Sequence, residues 1–123
     1  METKTWYEGS SSSHDTLRKS NTGFLGPGVY LAENFDLAAY YARLGGAPGF
    51  VRKVRVSPAL SVKKVQERYS EDHLREADAK SKTVHQILDC DAILLVGREK
   101  GREMILSSAE QGSVVEEQRI EFD

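Results

Sequence analysis

Tyr30 and Tyr41 stand eleven residues apart, and Glu103 follows far downstream. These residue types suit one kind of chemistry. Two phenol rings facing one another can sandwich a flat heteroaromatic ring. A fixed carboxylate beside a sugar carbon stabilises the positive charge that develops as an N-glycosidic bond breaks, and it does so more in the transition state than in the ground state. Taken singly, a tyrosine on a strand or a helix packs in a core with its hydroxyl outward, and an isolated glutamate at a strand start is an ordinary charged residue. The setting of Tyr30 changes the balance. In Gly26-Pro27-Gly28-Val29-Tyr30-Leu31-Ala32-Glu33, the glycines at 26 and 28 remove side chains where a planar ligand could lie against backbone. Tyr40 and Tyr41 point about 100° apart on a helix, so one of them at most shares a pocket with Tyr30. Ala38 and Ala39 are small and leave room beside it.

The elements that must hold these residues follow from pattern. Residues 4–8 read as a first strand. Ser12 or Ser13 suits the N-cap of a short helical stretch over 14–19, and residues 20–27 form a loop dense in Gly, Asn and Pro. A short strand over 28–32 carries Tyr30. Asn34 caps a helix over 35–44, which Gly45-Gly46 stops. Phe50, Val54 and Val56 share one face of a strand over 50–56. A short strand over 61–65 precedes a charged helix over 71–82, with Leu74 and Ala77 inward, and a second helical turn over 83–88. Strands over 92–96, 103–106 and 114–122 finish the chain. Strands and helices in this order fit an α+β domain with a split antiparallel sheet and a cleft, better than a doubly wound sheet.

Composition narrows the classes. The 123 residues suffice for one domain, 1–123, with a modest core, and 39% hydrophobic residues suit a globular fold. A net charge of −2 offers no broad basic surface to nucleic acid or an anionic membrane. No apolar run approaches a membrane span, and no hydrophobic signal region opens the chain. Cys90 is the single cysteine, so no internal disulfide forms. A reducing intracellular compartment, cytoplasm or nucleus, is the simplest home; export as an effector stays open. His14, His73 and His85 show no metal-ligand spacing with the carboxylates or Cys90, so no metal is expected.

Tyr7-Glu8-Gly9-Ser10, the Gly26–Glu33 segment, Ala39-Tyr40-Tyr41 and Arg102-Glu103-Met104-Ile105 are similar, in order and spacing, to the catalytic core of poly(ADP-ribose) polymerase-like (PARP-like), diphtheria-toxin-type ADP-ribosyltransferases. The resemblance spans about residues 5 to 122, and Gln111 falls where the family's last motif carries a glutamine. It implies split antiparallel β-sheets with flanking short helices and a central NAD cleft. It implies a mono-ADP-ribosyltransferase, a glycosyltransferase that cleaves NAD at the nicotinamide–ribose bond. The ADP-ribose would pass to a protein, a nucleic-acid end or water, with NAD as substrate and no metal. By the same resemblance Gly9 would bind the nicotinamide amide through its backbone, with Ser10 beside it. Tyr30 would be the triad tyrosine, Tyr41 its stacking partner and Glu103 the triad glutamate. Ala38 matches a position where many relatives carry a serine against the amide.

The first triad position departs from the family. Where the motif reads His-Gly-(Ser/Thr), this chain reads Glu8-Gly9-Ser10. A carboxylate accepts hydrogen bonds from ribose hydroxyls, as the acidic residue of dinucleotide folds does, so Glu8 is a candidate for the catalytic set. The competing reading is a catalytically inactive PARP-like module that binds NAD, ADP-ribose or a protein partner. Arg18, Lys19, Arg43 and Arg52 are candidates to offset a diphosphate, or ordinary surface charges.

Overall fold

The computed structural model describes residues 4–11, 13, 16–21, 23–44 and 49–121. Seven strands form one sheet: β1 Thr5–Ser10, β2 Val29–Ala32, β3 Gly49–Val56, β4 Val62–Gln66, β5 Ala92–Val96, β6 Glu103–Leu106 and β7 Gly112–Ile120. Their spatial order is β4-β5-β6-β2-β1-β3-β7. Three helices accompany them: α1 Phe35–Leu44, α2 Ser70–Ala79 and α3 Val84–Leu88.

The architecture is α+β with the strand arrangement of an ADP-ribosyltransferase-like fold. Its split lies between β1 and β2. Among the described residues these strands register at Tyr7 with Ala32, whereas β1 and β3 stay paired from Thr5–Arg55 to Ser10–Phe50. One half-sheet is therefore β1-β3-β7 and the other β4-β5-β6-β2. The expectation of a wholly antiparallel sheet needs one correction. β4 and β5 run parallel, because α2 and α3 form a crossover that returns the chain to the same end.

Alternation divides the side chains between two faces. Trp6, Val54, Val29, Leu31, Leu94, Met104 and Leu106 gather on one face, where residues of both half-sheets pack into a single core with Leu17. The other face takes the helices. α1 lays Leu37, Ala38 and Ala39 against Ala32 and Val51. Ala77 of α2 and Val84 of α3 pack with Ile93, Leu95 and Ile105. Asn34 starts α1 by accepting the Leu37 N–H at 2.8 Å. Thr83 and Gln86 form a reciprocal capping box at α3.

The helix expected over 14–19 is not formed at Thr16–Lys19; Leu17 instead is buried in the core as part of an irregular segment. His14 and the candidate cap Ser12 lie outside the described residues, as do Gly45-Gly46 and Phe122. The last strand begins at Gly112, two residues earlier than its apolar pattern suggests, because Gln111 closes the preceding turn.

Candidate active site

Sheet register assembles the site. Tyr7, Ala32, Glu103 and Leu95 lie opposite one another on adjacent strands and so share a face. Tyr30 and Ile105 form the next row. Where β1 and β2 part, a cavity of about 390 Å³ opens, within the usual range for small-molecule sites. Its lining includes Tyr7 and Gly9 of β1, Tyr30 and Ala32 of β2, Ala38 and Tyr41 of α1, and Glu103 of β6. Ser20, Gly23 and Phe24 of the preceding loop and Arg98 of the β5–β6 loop complete it.

Gly9 is required there for packing as well as for access. A Cβ at this position would stand 2.0 Å from the Ala38 carbonyl oxygen, so only glycine lets α1 lie this close to β1. The two tyrosines are held differently. The Tyr30 hydroxyl accepts the Leu25 N–H at 2.9 Å and donates to the Gly26 carbonyl at 2.6 Å. Burial pushes this phenol above its ordinary pKa, consistent with a protonated donor. Tyr41 donates to Glu103 Oε2 at 3.3 Å and accepts from Arg98 Nη1 at 3.2 Å. Tyr40 turns outward, with Lys100 Nζ 4.0 Å from its ring centroid.

Glu103 is buried, 2% exposed, at the cavity floor. It forms an ion pair with Arg98. Arg98 lies 4.7 Å from the centroid of the Phe24 ring and 3.8 Å from Glu67 Oε1. Beside the site, Glu33 ties the end of β2 to the turn before Glu103. It accepts from the Arg102 backbone at 3.1 Å, Arg102 Nε at 2.9 Å and Lys4 Nζ at 2.9 Å. Led by the Lys4 hydrogen bond, these contacts hold its carboxyl down at about 2.

The candidate residues thus divide. Gly9, Tyr30, Ala38, Tyr41 and Glu103 converge on one cavity. Glu8 does not join them. Gly9 and Tyr7 face the cavity, so their neighbour points through the sheet the other way. There Glu8 pairs with Arg52 Nη1 at 3.1 Å, and Arg52 Nε pairs with Glu117 at 3.0 Å. Glu8, Arg52 and Glu117 are direct cross-strand neighbours on β1, β3 and β7. Burial raises the Glu8 pKa against the opposing pull of the Arg18 backbone and the Arg52 charge. Arg52 is fully buried, not the surface charge expected of it. Ser10, Gly26 and Gly28 are not among the lining residues either. Gln111 clasps its own turn, accepting the Ser107 and Ser108 N–H groups at 3.0 and 3.1 Å.

Arg98, Phe24, Tyr7 and Ser20 line the cavity without having been singled out in the sequence. Tyr7 was within reach of pattern, since it shares a strand face with Gly9. Arg98 and Phe24 sit on loops whose approach is set by the folded sheet. Among the described residues, no group of three or more His, Cys, Asp or Glu is placed to hold a metal ion.

No protein-family model and no curated protein matches the chain. A solved structure does match in fold. It is a chain of the Mycobacterium tuberculosis MbcT–MbcA toxin–antitoxin complex, with TM-score 0.66 and 13% sequence identity. The superposition covers 96% of this chain and 84% of that one. The similarity thus extends over nearly the whole molecule and establishes a shared fold.

Proposed function

We propose that this protein cleaves the nicotinamide–ribose bond of NAD and passes the ADP-ribose to a macromolecular acceptor or to water. The observation that carries this reading is Glu103. It is a buried carboxylate at the floor of a cavity walled by Tyr30 and Tyr41, with Gly9 at its edge. The cavity suits the nicotinamide end of a dinucleotide: aromatic side chains, a glycine that bares the strand and one carboxylate converge there. Tyr30 and Tyr41 would bind the flat ring. Gly9 would meet the amide through its main chain. Glu103, oriented by the Tyr41 hydroxyl, would accept from the ribose 2′-hydroxyl and stabilise positive charge at the anomeric carbon. Glu8 takes no part in this assignment. The Glu8–Arg52 pair serves the sheet.

The acceptor is most simply a protein, and a nucleic-acid end is the alternative. The fold neighbour belongs to a toxin–antitoxin complex, which supports a protein partner for this chain too. A second reading, an inactive module that binds NAD or ADP-ribose, is favoured by one feature: Arg98 neutralises the carboxylate that the reaction needs.

Nicotinamide release from NAD, with mass analysis for ADP-ribose adducts, distinguishes the two. Slow release is expected from the parent protein. Glu103→Gln should lower it by about 10²–10³-fold, the range for losing one preorganised electrostatic contact, while ADP-ribose binding survives. Binding by the parent without release selects the inactive module. Equal release by both proteins removes Glu103 from the mechanism.

A further inference from the structure

We propose that Arg98 exchanges partners: it neutralises Glu103 in the empty site and grips the diphosphate of a dinucleotide in the filled one. This makes it the residue that selects phosphorylated substrates over uncharged nucleosides. The inference rests on the NAD-cleaving reading and adds a substrate determinant to it.

Charge balance leads to this assignment. Among the described residues lining the cavity, Arg98 is the cation and Glu103 the anion. A dinucleotide brings a doubly negative diphosphate to a pocket whose floor is a carboxylate. Without a cation at the wall, Glu103 and the phosphates would repel each other in a partly dry cleft. Three other cations are engaged elsewhere. Lys100 lies over the Tyr40 ring, Arg102 pairs with Glu33, and Arg52 is buried between Glu8 and Glu117 on the far side of the sheet.

Arg98 is also built to move between partners. Its guanidinium is bound by groups of three elements: Glu103 of β6, Tyr41 of α1 and Glu67 beside β4. It retains 24% side-chain exposure against 3% for Glu103, so its head is at the cavity mouth while the carboxylate is at the floor. Phe24 packs against it and is itself 39% exposed. The loop carrying Arg98 has Gly97 and Gly101 on either side, at φ +89° and +129°. An arginine fork matches a phosphate as well as it matches a carboxylate. Transfer from Glu103 to phosphate would free Glu103 for the ribose at the moment of binding. The resting ion pair is then a placeholder rather than a mark of inactivity.

The test is calorimetric binding of ADP-ribose, inorganic pyrophosphate and nicotinamide to the parent, Arg98→Gln and Arg98→Lys, with melting curves as fold controls. Arg98→Gln should weaken ADP-ribose binding about tenfold or more, the usual scale for a lost charge-assisted contact. Nicotinamide binding should stay within about twofold, since it carries no charge for Arg98 to meet. Arg98→Lys, which keeps the charge and loses the fork, should fall between. In the parent, pyrophosphate should compete with ADP-ribose. This measurement stands even if Arg98→Gln does not fold.

Equal ADP-ribose affinity in all three proteins, or pyrophosphate that does not compete in the parent, overturns the assignment and leaves Arg98 as a fixed counter-ion. A parent that binds neither NAD nor ADP-ribose overturns the functional reading itself, a result distinct from normal binding unaffected by residue 98.

Discussion

Tyr30 and Tyr41 face one cavity, yet their hydroxyls have different duties. The Tyr30 hydroxyl is consumed by the loop before it, through Leu25 and Gly26. Tyr30→Phe should therefore cost stability, about 1–3 kcal/mol for stranded partners, measured by urea unfolding, and leave the stacking surface in place. The Tyr41 hydroxyl touches Glu103 and Arg98. Tyr41→Phe should lower kcat several-fold with little change in KM, read from steady-state nicotinamide release, because ring contact survives while the carboxylate loses its guide. The placement of Tyr30, Tyr41 and Glu103 on β2, α1 and β6 is legible in the sequence because each lies on a strongly patterned element. Arg98 could not, since nothing in its neighbours tells that its loop folds back over Phe24. Glu8 shows the opposite case: the motif places it beside Gly9, but strand alternation turns its side chain to the other face of the sheet.

The strands β1, β3 and β7 are joined by more than main-chain hydrogen bonds. Glu8, Arg52 and Glu117 cross all three as a row of alternating charge with its centre fully buried. Removing the middle member leaves a buried carboxylate unpaired, which typically costs about 3–5 kcal/mol. Arg52→Met should lose about that much in denaturant unfolding at neutral pH. The sign of its pH dependence follows from Glu8. Burial raises the folded pKa above the ordinary value near 4.5, and loss of Arg52 raises it further. The deficit should therefore shrink as pH falls and the carboxyl takes up a proton. The bounds of α1, β5 and β6 could be read directly from a cap, an apolar run and a glycine. The parallel partnership of β4 and β5 could not, because strand direction within a sheet depends on where α2 and α3 return the chain.

The strand that carries Glu103, β6, is also tied to the helical layer. His85 of α3 is buried and lies 2.9 Å from the Ile105 carbonyl through Nε2. Burial lowers its pKa below the ordinary 6.5, so on acidification the unfolded chain takes up a proton before the folded protein does. Stability should accordingly fall as pH drops below about 6.5. Melting curves between mild alkali and mild acid should show that slope, and His85→Gln should flatten it. At the cleft itself, the two half-sheets meet at the register of Tyr7 with Ala32 and then part. A mouth framed by diverging strands presents peptide groups, which every sequence carries, so the opening itself belongs to the topology rather than to particular side chains. On the proposed reading the backbone would supply the berth, and a few loop residues, Arg98 first among them, would decide what moors there.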